Sequence, residues 1–241
     1  MIKDAIKYIV GLSEPNIKEI RDEVYSDKPL HRISFIPKAE PIKLNTLASL
    51  VDYIKSDVDY MAEKMIIHIQ SPTHIELYSQ LYAEREREKI AVVDALIPEF
   101  RFNQFMDHES FCIALQSKCT DEGDTDLALL LKFAGTVEAG TVAQYGDDGV
   151  TQKATVKTGV TSKEAAIVPS PAILKPYRTF VDVEQPKSSF IFRMKQDKYD
   201  AVQCALFEAD GGAWKLTAMQ TIKDYLDAEL SEMSERFVVI A

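Results

Sequence analysis

Glycine is scarce in this chain, nine among 241 residues, and none of the nine builds a phosphate loop. Neither GxxxxGK followed by Ser or Thr nor GxGxxG occurs, so the turn that cradles a nucleotide at a helix N-terminus is missing. GxSxG and HExxH are absent as well, which removes the common hydrolase signatures. The three cysteines, Cys112, Cys119 and Cys204, are odd in number and lack CxxC spacing. They imply neither a disulfide framework nor a zinc knuckle. Cys112 in FCIAL and Cys204 in QCALF read as small buried hydrophobes, and His108, one helical turn before Cys112, is the best-placed group to activate a thiol. No apolar run reaches the roughly 18 residues that span a bilayer, and MIKDAIKYIVGLSEP lacks the apolar length of a signal peptide. A cytoplasmic location without membrane contact is the expectation.

Positive charge is also in deficit, with 28 Lys and Arg against 38 Asp and Glu, a net charge of -10 and a pI near 5.0. A broad basic surface for nucleic acid is therefore not expected. What is present is ordinary core material: 46% of the residues are hydrophobic, enough to bury a sizeable core.

The order of elements follows from spacing and punctuation. Ile6, Ile9 and Val10, then Ile17, Ile20 and Val24, keep a helical interval interrupted by Gly11 and Pro15, which predicts two short helices or one broken helix. Pro29, Pro37 and Pro41 exclude a helix over the next stretch, where HRISFIP reads as a short strand and KAEPIKL as a connector. Residues 1–43 thus form an N-terminal arm, of the kind that exchanges between subunits, and 44–241 the body. Asn45 or Thr46 caps a helix whose core face carries Leu47, Leu50, Val51, Ile54, Val58 and Met61. KMIIHIQSPTHIELYSQ predicts a hairpin turning at Ser71, with Ile67 opposite Ile75 and His68 opposite His74. AEREREK is a solvated turn, Asp107 an N-cap, and Asp124 or Thr125 another, with Gly135 as the stop. The glycine and aspartates of TVAQYGDDGVTQKATVKTG make a turn between strands, and FVDV, SSFIFRMK and QCALFEA are strand-like. After the turn at Asp210-Gly211-Gly212, a final helix carries Trp214, Met219, Ile222, Leu226 and Leu230. The sum is an α+β fold: a mainly antiparallel sheet with packed helices, an N-terminal helical arm and a C-terminal helix.

Candidate chemistry is thin. His68 and His74, with Glu76 two positions on, present two imidazoles and a carboxylate to one sheet face, a set able to ligate zinc. The spacing matches no zinc motif, and a half-exposed histidine pair on the polar side of a sheet explains it. Asp121, Glu122, Asp124 and Asp126 do not follow the order of a calcium loop, and Asp147-Asp148 suits a turn better than a magnesium site. Phe100, Phe102 and Phe105 read as core rather than as a platform for bases. No catalytic residue, cofactor or metal ligand is assigned. In LKPYRTFVDVEQPKSSFIFR, Arg178 stands between Tyr177 and Phe180, placed to stack on a ring or fork onto a carboxylate of a neighbouring subunit. Tyr177, Arg178 and Phe180 are the candidate subunit contact.

Four segments together, FMDHESFCIALQS, YGDDGVTQKATVKTGV, ILKPYRTFVDVEQPKSSFIFR and ALFEADGGAWKLTAMQTIKDYL, resemble the YfdQ-like bacteriophage and prophage proteins, a domain family of unknown function. The similarity covers about Leu44 to Leu230. It implies a phage role in the host cytoplasm and supplies no catalytic residues to carry over. The function expected is a non-enzymatic phage protein that self-associates into a homo-oligomer. The alternative is an accessory factor in phage DNA replication or recombination, or in host-defence interference, binding a host protein or single-stranded DNA. A metal-dependent hydrolase using His68 and His74 ranks last.

Overall fold

Two consecutive residues with left-handed backbone, Arg21 (φ 55°) and Asp22 (φ 65°), decide the form of the N-terminal segment. Left-handed geometry at both central positions makes the two-residue turn whose twist suits a hairpin. After helix α1 (Ile2–Gly11), the chain accordingly forms strands β1 (Ile17–Ile20) and β2 (Glu23–Ser26), with Ile20 against Glu23 and Ile17 against Ser26. This corrects the helix expected over Ile17–Val24, because the turn overrides the helical spacing of its isoleucines.

The structure, a computed structural model, describes the chain apart from residues 1, 12–14, 30–37, 62, 83–84, 122, 137–141, 148–151, 159–161, 168–169, 197 and 200. The strand expected in HRISFIP and the centre of the turn at Asp148 lie outside the described residues. The chain divides into two units, Met1–Ala39 and Glu40–Ala241. The second unit begins a few residues before the expected limit at 43, since strand β3 (Ile42–Leu44) is already paired into a sheet of the body.

Thr46 opens helix α2 (Leu47–Ser56): its Oγ1 accepts the Ser49 N–H at 3.1 Å. Left-handed Asp57 (φ 48°) ends it, so Val58 is exposed rather than on the core face and Met61 reaches the core from beyond the helix. Strands β4 (Met65–Ser71), β5 (His74–Ser79) and β6 (Lys89–Asp94) follow. With β3 and the C-terminal strand β15 (Phe237–Ile240), they make a five-stranded mixed sheet in the order β15-β4-β5-β6-β3. The outer pairs β15–β4 and β3–β6 are parallel, and the inner pairs are antiparallel. One face buries Ile67, Ile69, Ile75, Leu77, Ala91 and Val93 against Leu50 and Ile54 of α2 and Ile222 and Leu226 of helix α5 (Trp214–Glu229). Each Val, Leu or Ile among them contributes about 1.5–3 kcal/mol on leaving water.

A second five-stranded sheet is wholly antiparallel. It comprises β7 (Met106–Asp107), β8 (Cys119–Thr120), β12 (Ala172–Pro176), β13 (Ser188–Gln196) and β14 (Val202–Glu208), in the order β7-β14-β13-β12-β8. Alternation along β13 sends Phe190, Phe192 and Met194 inward, where they meet helices α3 (His108–Lys118) and α4 (Leu127–Thr136) through Phe111, Leu115, Leu130 and Phe133. Asp107 caps α3 by accepting the Ser110 N–H at 2.9 Å, and α4 runs one residue past Gly135. Strands β9 (Val142–Asp147), β10 (Gln152–Thr158) and β11 (Ser162–Ile167) form a three-stranded antiparallel meander. The protein is α+β, with antiparallel sheets and packed helices.

Candidate functional site around Arg178

Residues 177–187 connect β12 to β13, and they are not the strand that FVDV suggests. Side chains have taken over the backbone. Gln185 Oε1 accepts from the N–H groups of Arg178 (2.9 Å) and Thr179 (3.2 Å), while its Nε2 donates to the carbonyls of Phe180 (3.0 Å) and Val183 (3.3 Å). Thr179 Oγ1 donates to the Pro72 carbonyl at 2.5 Å. The carboxylate of Asp182 accepts from the N–H groups of Leu47 and Ala48, both at 3.1 Å, occupying donors that a helix N-terminus leaves open. A backbone satisfied by amide and carboxylate side chains has no need of a neighbouring strand. The segment is a strut inside the body: Phe180 packs in the core of the mixed sheet, and Arg178 turns the other way.

Arg178 is 4% exposed. Its Cζ lies 4.3 Å from the ring centre of Phe102, 4.8 Å from Phe190 and 4.7 Å from Trp214. Nη1 pairs with Glu208 at 3.0 Å and reaches Ser188 Oγ at 3.4 Å, whereas Nε and Nη2 have no oxygen acceptor. Ring faces stand where acceptors are missing, and their negative quadrupoles hold the cation. Burial presses the guanidinium pKa down and Glu208, then Asp210, push it back up; arginine stays charged. The carboxylate expected from a neighbouring subunit is supplied by Glu208 of the same chain. The stretch proposed as a subunit contact is thus internal at Arg178 and at Phe180, which is 1% exposed. Tyr177 is half-buried, its N–H donating to the Lys118 carbonyl at 2.9 Å.

Beside this centre is an open cleft of about 580 Å³, whose lining includes Asp124, Asp126, Lys187, Ser188, Asp210 and Trp214. Most of its charges are already engaged. Asp124 pairs with Lys187 at 2.5 Å and with the buried Lys175 at 3.3 Å, and these lysines, Lys187 foremost, hold its carboxyl below the ordinary range. Asp126 Oδ2 accepts the Ile173 N–H at 2.8 Å. Trp214 Nε1 and Asp210 Oδ2 are buried without a hydrogen-bond partner.

The histidine constellation does not assemble. The turn is Pro72-Thr73 with a bulge between Ile69 and Ser71, so His68 stands opposite Glu76, and His74 opposite Ser71. Ile67 faces Leu77, not Ile75. The expected register is corrected by that shorter turn and its extra residue. His74 binds Asp94 and Glu76 instead, at 2.6 and 3.3 Å. Among the described residues no group of three or more His, Cys, Asp or Glu is arranged to hold a metal ion.

His108 and Cys112 do meet, with Nε2 3.8 Å from Sγ. However, the same Nε2 lies against the Ala134 carbonyl, which only accepts, so this nitrogen is a donor and offers no lone pair to a thiol. Burial pushes the Cys112 thiol above its ordinary pKa, the opposite of activation.

Sequence reasoning singled out Arg178 but missed Phe102, Phe190, Trp214 and Glu208 as its partners. The usable signal was the lone lysine and arginine, Lys175 and Arg178, in a stretch otherwise apolar enough to be interior. Among the described residues no helix is long and apolar enough to cross a membrane. No family model, curated protein or solved structure matches the chain.

Proposed function

We propose that this chain is a non-enzymatic protein that assembles with copies of itself, and that its N-terminal unit supplies the contact. One observation carries the reading. No described residue of Met1–Ala39 is buried, although the unit displays Ile2 (80% exposed), Tyr8 (71%) and Val24 (70%), together with Ile6, Ile17, Ile20 and Tyr25. A ten-residue helix and a two-stranded hairpin are each marginal alone in water, so their order calls for an apolar surface to lie on. The surface in this proposal is another copy of the chain. Residues 1–39 hold seven Lys and Arg against six Asp and Glu, which leaves 21 against 32 for the rest. A unit of net +1 is spared the mutual repulsion that bodies of net -11 carry.

The resemblance to the YfdQ-like proteins supports a phage-encoded subunit working in a host cytoplasm. Mass photometry of the full chain at micromolar concentration tests the proposal, with Ile6→Glu/Val24→Glu as the paired variant. The native chain is expected as an oligomer and the variant as a monomer. A native monomer defeats the reading.

A further inference from the structure

The outer face of the mixed sheet carries a chain of polar contacts centred on one imidazole. His74 stands at the start of β5, directly opposite Asp94 on β6. Its Nδ1 is 2.6 Å from Asp94 Oδ1, and its Nε2 is 3.3 Å from Glu76 Oε1. A carboxylate beside each ring nitrogen favours the imidazolium, the form in which both nitrogens carry an N–H. A neutral ring keeps one N–H and turns a lone pair toward the other carboxylate.

We propose that Asp94, His74 and Glu76 form a proton-operated clamp: the imidazolium, oriented by the Glu76 carboxylate on its own strand, binds Asp94 and so ties the β4–β5 turn to β6, and loss of its proton loosens that turn. Other ties share the load: the Thr73 N–H donates to Ser71 Oγ at 3.2 Å, and Pro72 is buried. Pro72-Thr73 is joined to β6 by the Ala95 N–H donating to the Thr73 carbonyl at 2.9 Å, and to the Arg178 strut through Thr179 Oγ1. Release of the clamp therefore acts on the point where the mixed sheet meets the strut.

The groups facing the ring decide which bond fails. Glu76 has further donors in Lys89 Nζ from β6, Tyr78 OH from its own strand and Gln70 Nε2 from β4, and it is opposed by His68 of β4. Burial raises the Glu76 pKa, but Lys89, Tyr78 and His74 together outweigh it and keep the group ionised. The carboxylate thus stays in place when the proton leaves, and His74 is what lets go. The hydrogen bond to Asp94 is the largest influence raising the His74 pKa, with burial opposing and Glu76 assisting. A folded pKa above the unfolded value of about 6.5 means the clamp contributes fully below that pH and is lost as pH rises through the folded value.

Proton NMR of the four histidine rings of the full chain tests this, with His74 assigned by the signal missing from His74→Gln. The expected result is a His74 midpoint above 6.5, and faster hydrogen exchange over residues 71–75, after correction for intrinsic rates, with that same midpoint. Asp94→Asn keeps the ring and removes the stronger partner, so it should lower the midpoint by roughly one pH unit. A native midpoint at or below 6.5, exchange that does not follow it, or a midpoint unmoved in Asp94→Asn overturns the proposal.

Discussion

Replacing Arg178 by alanine tests the strut most directly, because the side chain is an internal tie whose loss has a calculable cost. Cation–ring contacts add about 0.5–1 kcal/mol when exposed and about 2 when desolvated. Three rings lie within 5 Å of Cζ here, and because they share one cation the combined stacking is set at about 2–3 kcal/mol. The ion pair adds little, since the Glu208 side chain is 36% exposed and such pairs yield about 0–1 kcal/mol. Loss of the buried stem leaves a void that costs more. The total is about 3 kcal/mol, at the low end for breaking a buried ion pair. With a urea slope near 2–3 kcal/mol/M, the unfolding midpoint of Arg178→Ala falls by about 1–1.5 M. Arg178→Lys keeps the charge without the plane and falls about half as far. The loss persists in 1 M salt, because the rings exclude the ions that would screen it. A midpoint shift under about 0.3 M refutes the account, as does an Arg178→Ala chain of native stability that no longer self-associates, which would put the guanidinium at a subunit contact after all.

Two further perturbations address separate parts of the fold. Asp182→Ala removes the acceptor for Leu47 and Ala48 N–H at the start of α2 and is expected to cost about 1–2 kcal/mol in urea unfolding, as a lost N-terminal cap does. Asp182→Asn, which keeps one oxygen, should cost less, and equal losses count against the capping role. Burial pushes Cys119 and Cys204 up to about 12, so a thiol reagent at pH 8 should label Cys112 alone in the folded chain and all three cysteines in urea. Labelling of Cys204 at the rate of Cys112 contradicts the packing of the antiparallel sheet.

The sequence by itself determined what short-range chemistry determines. Asp107 was legible as a cap, and Asn45 or Thr46 as another, because a side-chain oxygen at a helix start reaches an N–H three residues on. Phe190 and Phe192 were legible as one face because a strand has a period of two. Tertiary structure decided what depends on partners far apart in the chain or on a single turn. Left-handed Arg21 and Asp22 turned a helical pattern into a hairpin, and the Pro72-Thr73 turn with its bulge moved His68 from His74 to Glu76. Arg178 was visible as an odd cation among apolar residues, yet its role came from Phe102, Phe190, Glu208 and Trp214, which lie on separate segments. A guanidinium needs planes and carboxylates at a few ångströms. Only the packing of the antiparallel sheet against the start of α5 brings them there, and that same packing makes the arginine an internal tie instead of a surface contact.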